Sequence, residues 1–180
     1  MPVAVKSVEK VKIPGKVQVT FDQKGYFTVT GPGGKASRTL FHPKIAVSRE
    51  GDEVVFTCEL PKKKEKAMVR TLASHLANMC RGVVDGFTYQ MKVVYSHFPI
   101  KVTLKGKQLL IENFLGEKMA RVANIIGETK VLVKGNELTL IGADIESVGQ
   151  SAANIERATK IRNRDPRIFQ DGIYIVDRRG

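Results

Sequence analysis

The chain has 180 residues, 42% of them hydrophobic and 27% charged, enough to bury a real core in one domain or two small ones. Its net charge of +12 favours polyanionic partners through counterion release, which puts nucleic acid first among partner classes for both basic halves. No apolar run approaches the roughly 18 residues that span a bilayer, and MPVAVKSVEK at the start lacks the apolar stretch of a signal peptide, so the expectation is a cytoplasmic protein with no membrane partner.

Residues 1–10 and 177–180 read as ends that are mobile without a partner. From Val17 onward short β-rich runs follow, VQVTF, YFTVT, SRTLF, KIAVSRE and DEVVFTCEL, separated by Gly, Asp and Pro. They predict an antiparallel meander. Among them lies GPGGKASR, residues 31–38, whose glycines raise the question of a phosphate loop. A P-loop requires a glycine where Val29 stands and a hydroxyl where Ala36 stands. The GxxG loop of K-homology domains joins two helices, whereas strands flank this one. A hairpin tip is the expected structure.

KKKEK, residues 62–66, is either a phosphate contact or a solvated linker before a helix. The helix itself is marked by Val69, Leu72, Ala73, Leu76, Met79, Cys80 and Val83 at helical spacing, with Gly82 and Gly86 around its end. Strand character resumes in FTYQMKVVYSHFPIKV and continues through IKVTLKGKQLLIENFLGEKMARVAN, TKVLVKG and GNELTLIGA. IIGETK, residues 125–130, has no second glycine and is not a nucleic-acid clamp. A second helix is predicted from about Ser147, where Ser147 and Gln150 suit a capping box and Val148, Ala152, Ile155, Ala158 and Ile161 form an apolar stripe. From its last turn onward Arg157, Lys160, Arg162, Arg164 and Arg167 crowd into eleven residues, 157–167, in which Asp165 is the one acidic residue, which points to phosphate contacts. Phe169 and Tyr174 could stack on bases, but Ile168, Phe169, Ile173 and Ile175 are read chiefly as pins for the C-terminal segment.

The two halves repeat. An offset of 83 places Val19 on Val102, Thr20 on Thr103, Lys24 on Lys107, Gly33 on Gly116, Lys35 on Lys118 and Arg38 on Arg121. An offset of 84 then lays GDEVVF on GNELTL. The expectation is an α+β fold of two tandem similar domains from internal duplication, each a small, mostly antiparallel sheet packed on one helix, with domains at 1–86 and 87–180. His42, His75 and His97 share no ligand or triad spacing, and the acidic residues form no trusted pair, so no catalytic residue, metal site or cofactor is expected. Cys58 and Cys80 read as buried thiols.

VTGPGGKASRTLFHPKI resembles the first-domain hairpin of the large-subunit ribosomal protein six family, and GQSAANIERATKIRNRDPRIFQDGIYIVDRR resembles the C-terminal signature of its archaeal and eukaryotic branch. Gln150, Arg167, Phe169, Asp171, Gly172, Tyr174 and Arg178 stand at that signature's spacing, and YSHFP points to the same branch. The family hairpin usually reads GPKG; here Gly33 takes the lysine position and Lys35 follows two places later. The resemblance implies a structural ribosomal protein that binds large-subunit ribosomal RNA near the sarcin-ricin loop and the stalk base, beside neighbouring ribosomal proteins and close to translation factors. It implies no small-molecule substrate. Carried over by position, the RNA contacts fall on Gln150, Asn154, Arg157, Lys160, Arg162, Arg164 and Arg167; Lys118 and Arg121 in the repeated hairpin and Arg178 near the C-terminus are further expected RNA-binding residues. A free-standing RNA-binding regulator or chaperone is the alternative that the composition permits.

Overall fold

Val, Phe and Thr alternate with polar residues through the first third of the chain, and six antiparallel strands result. The structure, a computed structural model, describes residues 6–22, 24–95, 98–165 and 167–179, so the readings made for residues 1–5, His97 and Gly180 lie outside the described residues. The chain divides into two compact units, Met1–Asp85 and Gly86–Gly180.

In the first unit, β2 (Gln18–Phe21), β3 (Tyr26–Gly31) and β4 (Gly34–Thr39) form the expected meander. A second sheet has the order β1-β6-β5, from β1 (Lys6–Lys12), β6 (Glu53–Glu59) and β5 (Ala46–Glu50). β1 corrects the expectation of a mobile start, because its ladder runs from Lys6↔Glu59 to Lys12↔Glu53. Helix α1 (Lys63–Val84) packs on this framework and buries Val69, Leu76 and Val83 against a core that holds Phe27 and Phe56 with ring centroids 6.0 Å apart. Each such side chain contributes about 1.5–3 kcal/mol by leaving water.

The start of α1 also differs from the reading of a linker, since KKKEK supplies the cap and first turn. Glu65 explains this. Its carboxylate accepts the Lys62 backbone N–H at 2.7 Å, as in one arm of a capping box, and pairs with Lys44 Nζ at 2.6 Å. The Lys44 hydrogen bond, followed by that of the Lys62 backbone, holds the Glu65 carboxyl below its ordinary pKa against the opposing effect of burial.

GPGG is a tight hairpin tip with register Gly31↔Gly34. Its glycines are required by a close approach rather than by a ligand. Gly33 N–H donates to the Val83 carbonyl at 2.6 Å, and a Cβ on Gly31 or Gly33 would come within 2.8 or 2.9 Å of that oxygen. The hairpin thus satisfies an acceptor at the end of α1 that the helix itself leaves open.

The second unit repeats the plan. β8 (Lys101–Lys105), β9 (Gln108–Glu112) and β10 (Arg121–Asn124) form one three-stranded sheet. β7 (Phe87–Val94), β11 (Lys130–Lys134) and β12 (Glu137–Gly142) join β13 (Gly172–Arg179) in a sheet of order β11-β12-β7-β13. The addition is β13, which pairs antiparallel with β7 as far as Arg179↔Thr88 and so corrects the reading of residues 177–179 as a mobile end. Helix α2 (Ile145–Ala158) closes a core around Phe114, Leu138, Leu140 and Ile155.

Two local expectations are corrected here. Asp144, not Ser147, caps α2: its carboxylate accepts the N–H groups of Glu146 and Ser147 at 3.3 and 3.0 Å, so Ser147 already lies inside the first turn. The β9–β10 connection does not copy the GPGG tip. It is an eight-residue loop, 113–120, that contains a 3₁₀ turn (Phe114–Gly116) and left-handed backbone at Asn113, Leu115 and Gly116.

Candidate nucleic-acid interface

The basic run is displayed by the C-terminal end of α2 and the loop that follows. Thr159, 3% exposed, fixes both. Its Oγ1 accepts the Ile173 N–H at 3.1 Å, and its hydroxyl can donate to the Glu156 or Ile155 carbonyl, at 3.2 and 3.3 Å, so one small side chain latches β13 to α2. Ser151, fully buried, makes an equivalent latch toward the IIGETK turn, accepting the Ile126 N–H at 2.8 Å and donating to Ser147 O at 2.7 Å.

Two adjoining hollows lie at this end of the helix and share Arg157 and Lys160. One, of about 270 Å³, is lined by Arg121, Arg157, Ala158, Lys160 and Arg162. Four of those five are cationic, which suits a phosphate group. The other, of about 360 Å³, is lined by Glu156, Arg157, Thr159, Lys160, Ile161, Phe169, Gln170 and Tyr174. Arg164 lies over the Phe169 ring at 4.8 Å, and the Tyr174 hydroxyl donates to Gln170 O at 3.1 Å. Of the expected pins, Ile173 is buried while Ile168 is 70% exposed, so Ile168 does not pin the segment.

The structure therefore brings Arg157, Lys160 and Arg162 together, with Arg164 against the wall of the second hollow. Arg167 is exposed farther along the loop, where its N–H donates to Asp165 Oδ1 at 2.9 Å. Arg178 is exposed on β13, above the Tyr89 ring at 5.7 Å, and Lys118 is exposed on loop 113–120. Gln150 and Asn154 lie one turn apart on α2: Gln150 Nε2 donates to Asn154 Oδ1 at 3.0 Å and Asn154 Nδ2 to Asn124 O at 2.9 Å. Asn154 thus braces the end of β10. Arg121 is engaged more heavily still, pairing with Glu117 and donating to the carbonyls of Ala158 and Lys160. In the first unit its counterpart Arg38 meets His75 Nδ1 at 3.2 Å; a guanidinium has donors only, so that ring nitrogen accepts.

Glu117, Thr159 and Ser151 were not among the expected functional residues. Glu117 and Arg121 do stand four apart, but that spacing signals a pair on helices, and here Glu117 lies in a loop and Arg121 opens β10. The Arg121 hydrogen bond holds the Glu117 carboxyl below its ordinary pKa against burial, and the positive charge of Arg164 adds to the effect. Among the described residues no three His, Cys, Asp or Glu side chains gather as a metal site, and no helix is long and apolar enough to cross a membrane.

A family model described as ribosomal protein L6 matches this chain twice, over residues 13–86 and 98–172. The large ribosomal subunit protein uL6 of Methanosarcina mazei is 52% identical over 168 residues, covering 93% of this chain and 95% of that protein. The uL6 proteins of Methanospirillum hungatei and Methanobrevibacter smithii are 53% and 44% identical, over 96% and 99% of this chain and 98% and 99% of their own lengths. The first family match covers the first structural unit from residue 13 and ends one residue past it, the second lies within the second unit, and with relatives this similar along nearly the whole chain they establish that it belongs to the ribosomal protein L6 family, the uL6 proteins of the large ribosomal subunit.

Proposed function

We propose that this chain is a structural constituent of the large ribosomal subunit that binds its ribosomal RNA through the end of α2 and the following loop, and that it performs no catalysis. The observation that carries the reading is the convergence of Arg157, Lys160 and Arg162 on one hollow in a chain whose relatives are named for the large subunit. Guanidinium forks suit phosphate oxygens bidentately, and folded RNA is recognised largely by the shape of its backbone. Rigid placement of the cations therefore supplies specificity, with Lys118, Gln150, Arg164, Arg167 and Arg178 as further contacts. The same reading puts the protein in cytoplasmic ribosomes, near the sarcin-ricin loop and stalk base, where neighbouring ribosomal proteins and translation factors lie close by.

The decisive test combines an alanine triple at Arg162, Arg164 and Arg167 with a salt series of RNA binding. Removing each cation that neutralises a phosphate is expected to flatten the dependence of log affinity on log salt by roughly 0.7–0.9. Circular dichroism of the triple variant is expected to match the wild type, since all three side chains are exposed. An unchanged salt slope would refute the contacts. Sedimentation of cell lysate tests the particle itself, and crosslinking within it tests the location; a protein that travels mainly outside large particles would be a free regulator instead.

A further inference from the structure

Arg121 borders the basic hollow, yet its hydrogen-bonding groups are taken up by acceptors of the protein itself. Its side chain is 25% exposed and lies over the Phe114 ring, with the guanidinium carbon 4.2 Å from the ring centroid. Nε and Nη2 donate to the two oxygens of Glu117 at 2.9 and 2.6 Å. Nη1 donates to Ala158 O at 2.9 Å and Lys160 O at 3.0 Å. A guanidinium carries five N–H donors, and these four bonds leave no edge with two parallel donors for a phosphate. The carbonyls it reaches mark the place where α2 ends and the basic loop begins.

We infer that Glu117 and Arg121 are a positioning pair for RNA binding: Arg121 fixes the exit of α2 so that Arg157, Lys160 and Arg162 face one hollow, and Glu117 orients Arg121. Neither touches RNA. This rests on the RNA-binding reading above, and it reassigns Arg121 from contact to support.

The sign of one substitution separates the two roles. Removing a carboxylate beside a polyanion tightens binding if only charge matters, whereas Glu117→Gln weakens it if Glu117 positions Arg121. Binding of the full chain to protein-free large-subunit ribosomal RNA, made by transcription, is measured across a salt series. Glu117→Gln is expected to bind roughly three- to tenfold more weakly, with the salt slope unchanged because every phosphate keeps its cation. Arg121→Lys keeps the charge but not the fork, and is expected to weaken binding as much. Lys160→Gln, a direct contact in this reading, is expected to flatten the slope.

Amide hydrogen exchange of the free protein supplies a second readout. Both support variants are expected to exchange faster from Thr159 to Ile161 and at the wild-type rate in α1. Wild-type affinity or tighter for Glu117→Gln, wild-type affinity for Arg121→Lys, or unchanged exchange at the end of α2 would each overturn the inference. If the wild-type chain shows no salt-dependent binding, the functional reading itself fails and the inference with it; if the wild type binds and only these variants disagree, the positioning pair alone is refuted.

Discussion

The two halves share one strand plan but join their hairpins to their helices with different chemistry. In the first half a tight glycine turn brings a neutral backbone N–H of Gly33 to the Val83 carbonyl. In the second, a longer loop brings a guanidinium to the carbonyls of Ala158 and Lys160. The neutral solution needs small residues and close packing; the charged one needs Glu117 to orient the arginine, and a loop with left-handed Leu115, a conformation that costs a non-glycine residue about 1–2 kcal/mol. Duplication preserved the scaffold, while the second copy placed cations where its helix ends.

Four perturbations, apart from the RNA experiments, would break or sharpen this contrast. Gly33→Ala strikes the neutral junction, because the added Cβ meets a backbone carbonyl at 2.9 Å. It is expected to cost about 2–3 kcal/mol in the first half, read by urea denaturation, and to leave RNA affinity of the folded protein unchanged. Thr159→Val strikes the second half by removing the partner of the buried Ile173 N–H. Its expected cost is about 1–2 kcal/mol, with faster amide exchange along β13 and no change in α1.

A pH series gives the third, smaller effect. Glu65 in the first half and Glu117 in the second both have carboxyls held below the ordinary value of 4.5 in the folded state. Their stabilisation is therefore fully present above about pH 4.5 and is lost as pH falls through the lower folded values. The stability gap between wild type and Glu65→Gln, or wild type and Glu117→Gln, is expected to narrow over that acid range, by under about 1 kcal/mol for the partly exposed Glu117. A gap that stays constant from about pH 6 to pH 3 would contradict the assigned ion pairs.

The smallest effect belongs to the lysines of KKKEK. Lys63 and Lys64 stand exposed in the first turn of α1, where the helix dipole disfavours positive charge. Lys63→Gln with Lys64→Gln is expected to stabilise the first half by roughly 0.3–1 kcal/mol in a low-salt melt. A simultaneous fall in RNA affinity would decide for a phosphate contact over a solvated face.

These elements also show how much of the molecule was legible in its sequence. The repeat, most strands, the apolar stripes and the hairpin reading of GPGG followed from periodicity and turn chemistry. β1 did not, because its inward positions Ser7, Glu9 and Val11 include one apolar residue and show no clear alternation. The helix starts escaped because Glu65 and Asp144 act through bonds that a run of lysines and a nearby serine disguised. The basic run was visible as composition, but the role of Arg121 was not: an arginine that caps a helix and one that grips phosphate look alike until their acceptors are located.

The placement of β13 also bears on the order in which the chain matures during synthesis. The strands and helix of the first half are all made by Val84, so that half can fold while the rest is still being translated. β7 opens the second half yet gains its second neighbour only when Gly172–Arg179 emerges. Until then its bare edge is open to strands of other chains. A nascent or truncated product ending before Gly172 would thus carry a finished first domain and an aggregation-prone second one.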